Sequence, residues 1–261
     1  MSPFTISVSC AKRTDEVQLG VNSGKTRVCF GNWKYDILLN GVKLLPDGNW
    51  EETCSNQDND CDYLEIELPL TENCTLQRFF LLDHKDKLFL CGDTVMREDE
   101  LNKPCSLEYE TALPLSENLQ MLKRSKSGAL LFGNQKEKQV CRLFPFFSQT
   151  DARVSDEHHF KAVQNGSALF AAFCIDLHPQ RFGTDCNWKP LTVGEERQKV
   201  SPDGAAAFHF QLGKQDFLLY RSMSAPANRT FFGHNLIDDF CFARFDAKKG
   251  VEGLVEVQAE D

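Results

Sequence analysis

The sequence predicts an all-β chain: a large antiparallel two-sheet β-sandwich, supersandwich-like, with long hairpins and little helix. Three observations carry that expectation. Apolar and polar residues alternate with a period of two in segment after segment. Gly, Pro, Asn or Asp separate these segments at short intervals. No segment carries a full apolar stripe of helical period. Roughly a dozen strands in one chain point to packed sheets rather than to a doubly wound α/β fold.

In chain order, Asp36-Ile37-Leu38-Leu39 and Val42-Lys43-Leu44-Leu45 flank Asn40-Gly41. Asn-Gly tolerates the positive φ angles of a type I′ turn, so this is a hairpin. Tyr63-Leu64-Glu65-Ile66-Glu67-Leu68 has the pattern of a strand with one wet face, which places Glu65 and Glu67 in solvent. Residues 76–82 and 88–95 flank a polar turn, and residues 207–212 and 217–220 flank another, giving two further hairpins. Residues 129–132, 139–144, 168–177, 240–245 and 253–257 are additional strand candidates. Only residues 116–126 can be read as a short helix. The polar stretch 148–159 reads as a long loop inside one domain spanning residues 1–261.

A chain of 261 residues buries about three quarters of its unfolded surface and needs no metal or disulfide to fold. Its 21 Phe against 4 Tyr and 3 Trp indicate a core of rings without polar handles. A net charge of −9 argues against a nucleic-acid partner. The N-terminal residues lack the features of a secretory signal, and no run of about 18 apolar residues occurs. The expectation is a soluble, cytoplasmic chain without a membrane partner. Eleven Cys fall singly with no CxxC spacing, as expected of reduced thiols that pack as small hydrophobes.

Familiar chemical motifs are incomplete. Gly20 to Thr26 resembles a phosphate loop but has three residues between its glycines where four are required. Asp58, Asp60 and Asp62 place oxygen donors at alternate positions, with Glu67 twelfth from Asn56, which makes them candidate calcium ligands. Cys61 occupies the position where a calcium loop needs Gly, and a strand pattern follows where a helix should. No other cofactor is expected. His178 ends a strand before Pro179, and His234 lies close to Asp238 and Asp239, so either is a candidate general base. Trp33, Trp50 and Trp188 are candidate platforms for sugar rings, although Trp is as often a core residue. No GxSxG or cysteine-protease context is found.

The segment 65–96 contains Glu67-Leu-Pro-Leu70, Leu76-Gln-Arg78-Phe-Phe-Leu-Leu-Asp83 and Lys87-Leu-Phe-Leu-Cys-Gly-Asp93-Thr-Val. This run resembles the β-sandwich portion of heparinase II/III-like polysaccharide lyases, where a strand carrying an Arg is followed by a partner strand ending in an acidic residue. The resemblance covers about a third of the sandwich at most, by the strand count above. It implies the fold and a link to polysaccharide metabolism. The helical toroid that supplies the family's catalytic Tyr and His is missing from this sequence, and no His and Asp cluster matches its zinc site. Lyase activity therefore does not transfer with the resemblance.

The leading reading is a non-catalytic carbohydrate-associated or interaction module. The first alternative is a sugar-active lyase or hydrolase with its site on one sandwich face, using Arg78, Asp93, His178 or His234. The second is a structural or oligomerisation domain.

Overall fold

The computed structural model describes residues 4–10, 16–98, 105–147, 153–154 and 159–258. The expected polar loop at 148–159 lies outside the described residues, apart from His159 and the backbone of Arg153–Val154, which pairs with His159–Asn165.

Among the described residues the fold is all-β, with a single three-residue 3-10 turn at Pro179–Arg181. Every registered strand pair is antiparallel. The strands divide among five sheets of three, five, eight, five and four members. The strands thus fall into more hydrogen-bonded sheets than the two expected. Alternation shows which residues are strands, but not which strands share a sheet. No helix among the described residues is long and apolar enough to cross a membrane.

The expected hairpins are present. Lys34–Leu39 pairs with Val42–Lys43 through Asn40 (φ 52°) and Gly41 (φ 81°), the double positive φ of a type I′ turn. Cys74–Asp83 pairs along its whole length with Leu88–Arg97, and Ala205–Leu212 pairs with Gln215–Ser222. The segment read as a short helix is instead a strand, Leu119–Arg124, at the edge of the eight-stranded sheet. Its few apolar residues suffice for one side of an edge strand, whereas a helix would need a wider stripe.

The central strands of the eight-stranded sheet are buried on both faces, and period-two alternation assigns their side chains. Ile66, Leu68, Leu76, Phe80, Phe89 and Phe173 enter a cluster shared with the N-terminal three- and five-stranded sheets. On the opposite face, Phe79, Phe144, Phe146 and Phe170 meet Phe208, Phe210, Phe240 and Phe242 of the C-terminal five-stranded sheet. Phe146 lies 5.1 Å from Phe210 and 5.4 Å from Phe208 between ring centroids, within the range of favourable aromatic pairs. A third cluster, with Leu218, Tyr220, Phe231 and Leu236, joins the other face of that sheet to the four-stranded one. The abundance of Phe thus has a structural cause: two sheets face each other through side chains that have nothing polar to satisfy.

Gly92, at the centre of Leu88–Arg97, shows how tight this packing is. A Cβ there would lie 2.5 Å from Phe79 Cε1, 2.8 Å from Ala172 Cβ and 2.9 Å from the Ala171 carbonyl oxygen. Gly92→Ala is expected to lower stability by about 1–3 kcal/mol in urea denaturation. Gly183→Ala, at a position with open space, is expected to change it little. Equal effects from the two substitutions would contradict the described packing.

Candidate functional site

The phenylalanine seam between the eight-stranded and C-terminal five-stranded sheets ends in charged side chains on both sides. At one end Asp83, Asp86 and Asp176 meet Arg142, Arg181 and Arg244. Arg142 Nη2 lies 2.6 Å and Arg181 Nη2 2.7 Å from Asp176, while Arg244 reaches Asp83 at 3.1 Å and Asp86 at 2.8 Å. Three carboxylates face three guanidinium groups, so the charges at this end balance.

The other end is open and unbalanced. On Cys61–Leu70, the side chains of Tyr63, Glu65 and Glu67 all point toward the seam because they are two residues apart. Gln77 lies directly across from Glu67, and its Nε2 donates to Glu67 Oε2 at 2.9 Å. From the facing sheet, Arg221 Nη1 donates to Glu65 Oε2 at 2.6 Å, and its Nη2 donates to Gln77 Oε1. Tyr63 completes the set by donating its hydroxyl to Glu65 Oε2 at 2.6 Å. Arg221 is only 3% exposed, and its Nε is buried without a hydrogen-bond partner. Asp239, just before the strand Phe240–Asp246, is half-buried at the same place.

Glu65, Glu67, Gln77, Arg221 and Asp239 line a cleft of 540 Å³, with Met96, Met223 and Val257 forming an apolar shoulder. Its three carboxylates, Glu65, Glu67 and Asp239, face one guanidinium, Arg221. The electrostatics separate the carboxyls by environment. Burial works against ionised Glu65, but the charge and hydrogen bond of Arg221 outweigh it and hold Glu65 below its ordinary value. Burial pushes Asp239 up, and Glu65 adds to that push while Arg221 opposes it. Tyr63 is raised well above the usual phenol range by burial and by Glu65. Such divergence within one cleft marks a functional-site candidate.

The residues singled out in the sequence lie elsewhere. Arg78 and Asp93 are direct cross-strand partners, joined by two hydrogen bonds of 2.7 and 2.8 Å. Both are fully buried. Arg78 also donates to the Trp33 carbonyl oxygen and lies 3.9 Å from the Trp33 ring centroid and 5.3 Å from that of Trp50. Tyr109 donates its hydroxyl to Asp93, and Trp33 donates its Nε1–H to Thr111 at 2.7 Å. Trp33 is 1% exposed and offers no face to solvent, whereas Trp50 is half-buried. Four residues placed in two different candidate groups thus form one internal cluster against the N-terminal sheets.

His178 caps the 3-10 turn, with its Nδ1 buried and unpartnered. His234 sits in the strand His234–Leu236, beyond the Phe cluster, against Phe231. Trp188 packs on Phe146 with its Nε1 buried and unpartnered. Asp58 accepts the backbone N–H groups of Asp60 and Cys61, each at 2.7 Å, and so closes the turn. Asp62 pairs with His84 at 3.2 Å. Of the candidates distant in the chain, Arg78, Asp93, Trp33 and Trp50 are brought together.

No motif in the sequence groups these cleft residues. Their signal was the acidic spacing of Glu65 and Glu67, which reads as a wet face until a second sheet is seen to cover Glu65.

No protein-family model matches the sequence, and neither does any curated protein. Solved structures do resemble the fold. The heparinase III BT4657 gene product, with methylated lysines, superposes with a TM-score of 0.54 at 8% identity over 85% of this chain and 39% of its own. A mutant of the heparan sulfate lyase HepC from Pedobacter heparinus gives a TM-score of 0.48 at 11% identity, over 86% of this chain and 42% of its own. This chain therefore spans less than half the length of those proteins. The distant resemblance to a β domain of heparin lyases, first visible at residues 65–96, holds at the level of fold.

Glu65 and Asp239 have opposite pH linkage. Glu65 contributes stability above the unfolded carboxylate range, which is lost as pH falls through its depressed folded value. Asp239 contributes at acid pH, and its contribution is lost as pH rises through its raised folded value. At pH 7, Glu65→Gln is expected to destabilise the chain by about 3 kcal/mol or more, because it leaves Arg221 buried and unpaired. Asp239→Asn is expected to leave stability unchanged or raise it. Thermal denaturation of both variants between acid and neutral pH tests this, and a larger loss from Asp239→Asn at pH 7 would overturn the assignment.

Proposed function

We propose that the chain is a non-catalytic carbohydrate-associated module that holds a sugar without sulfate or carboxylate groups in the cleft at Glu65, Arg221 and Asp239. The observation that carries this reading is the convergence of acceptors and one buried guanidinium in a cleft with an apolar shoulder. Sugar hydroxyls donate to carboxylates and accept from Arg, and the C–H face of a pyranose packs on side chains such as Met96 and Met223. The fold likeness to a heparinase III supports a carbohydrate partner. The charge balance argues for a different kind of sugar from a sulfated one. Three carboxylates against one Arg, itself paired with Glu65, repel an anionic chain.

The test is a titration with panels of neutral and of sulfated oligosaccharides, followed by NMR or calorimetry. Neutral sugars are expected to bind, and Asp239→Asn and Gln77→Ala are expected to weaken that binding by about tenfold or more, as loss of a buried polar contact does. Absence of any neutral binder, or binding insensitive to both substitutions, would overturn the proposal. Cleavage of a bound sugar would replace it with the lyase or hydrolase reading.

A further inference from the structure

His234, Cys241 and Glu256 come from three different strands, and their donor atoms all lie within 4.8 Å of one another. We infer that these three side chains form a binding site for a zinc-like divalent cation, between the C-terminal five-stranded sheet and the four-stranded sheet that packs on it. The site is independent of the cleft and of the reading given to it.

The backbone explains the convergence. Cys241 and Glu256 are direct partners across the pair Phe240–Asp246 and Gly250–Val257, so their side chains share the face turned toward the four-stranded sheet. A bulge in this pair lies between the register positions of Phe242 and Ala243, and bulges re-aim side chains beside functional sites. The Glu256 carboxylate folds over Gly253, where an added Cβ would collide with its Oε1. His234 is delivered from the other side by a tight hairpin. Phe232 (φ 51°) and Gly233 (φ 78°) form its turn, and Phe231 pairs with His234. Phe232 is a bulky residue in the left-handed region, which is uncommon and strained. Its ring is held 5.1 Å from that of His209 and 4.8 Å from that of Phe245. The turn that aims His234 is thus fixed by packing.

The donor set suits the ion. Thiolate, imidazole and carboxylate together favour zinc over calcium or magnesium, which prefer oxygen alone. Around a tetrahedral zinc the donors stand about 3.3–3.8 Å apart, so small side-chain rotations close the site. Cys241 is fully buried, His234 half-buried and Glu256 exposed, so the ion enters from the Glu256 side. On binding, the metal–sulfur bond replaces the S–H bond of Cys241 and the proton leaves to solvent. Three protein ligands leave a fourth position for water.

Cobalt substitution reads the site directly. Reduced protein titrated with Co²⁺ is expected to show a thiolate-to-cobalt charge-transfer band that Zn²⁺ displaces, and Zn²⁺ is expected to raise the Tm until EDTA removes it. Cys241→Ser should abolish the band. Glu256→Gln, at an exposed position on an edge strand, should leave the fold intact. It should weaken the metal by more than the roughly 10–100-fold that loss of an outer-shell partner causes. A band that persists at full strength in Cys241→Ser would place the ion on another thiol and overturn the site. So would the absence of any band in the unsubstituted chain, or unchanged affinity in Glu256→Gln.

Discussion

The structure depends on one constraint: the central strands of the eight-stranded sheet are covered on both faces, so no charge on them can rely on bulk water. Unpaired, a buried ion costs several kcal/mol. The chain meets the constraint by pairing such ions with side chains from an adjoining sheet, strand or turn. Arg78 and Asp93 neutralise each other on the face toward the N-terminal sheets. On the opposite face, Asp176 is answered by Arg142 and Arg181, and Glu65 by Arg221 of the facing sheet. The Glu65–Arg221 pair also specifies how the two facing sheets are matched, because a phenylalanine interface alone would tolerate a shift.

The two ends of the phenylalanine seam solve the problem differently. At the Asp83 and Asp176 end the charges balance. At the Glu65 end one Arg serves three carboxylates, and a cleft opens beside it. An imbalance of charge next to buried, hydrogen-bonded groups is what a hydroxyl-rich ligand can relieve. Fold likeness alone does not lead to this cleft, because the sites grafted on related folds differ.

Much of the fold was legible in the sequence. The Asn40-Gly41 turn and the strands around residues 76–95 follow from local chemistry, and local chemistry is what sequence patterns report. The assignment of strands to five sheets was not legible, since it depends on contacts between residues far apart in the chain. Glu65 illustrates the limit. Alternation correctly placed it on the opposite face from Ile66, but the same pattern arises whether that face meets water or an Arg 156 positions later. Arg78 and Asp93 stood out as a pair of functional residue types; burial and mutual hydrogen bonds instead tie them together inside the protein. The grouping of His234 with Cys241 and Glu256 has no sequence spacing at all, because it is made by a strand pair and by a hairpin from another sheet.

The claim that buried charge pairs join the sheets is tested most directly by a double-mutant cycle on Glu65 and Arg221, each replaced by Met, with stability read from urea denaturation. Pairing across the seam predicts that the double variant loses less than the two single losses added together, with a coupling of about 1 kcal/mol or more. Additivity to within about 0.3–0.5 kcal/mol would contradict it.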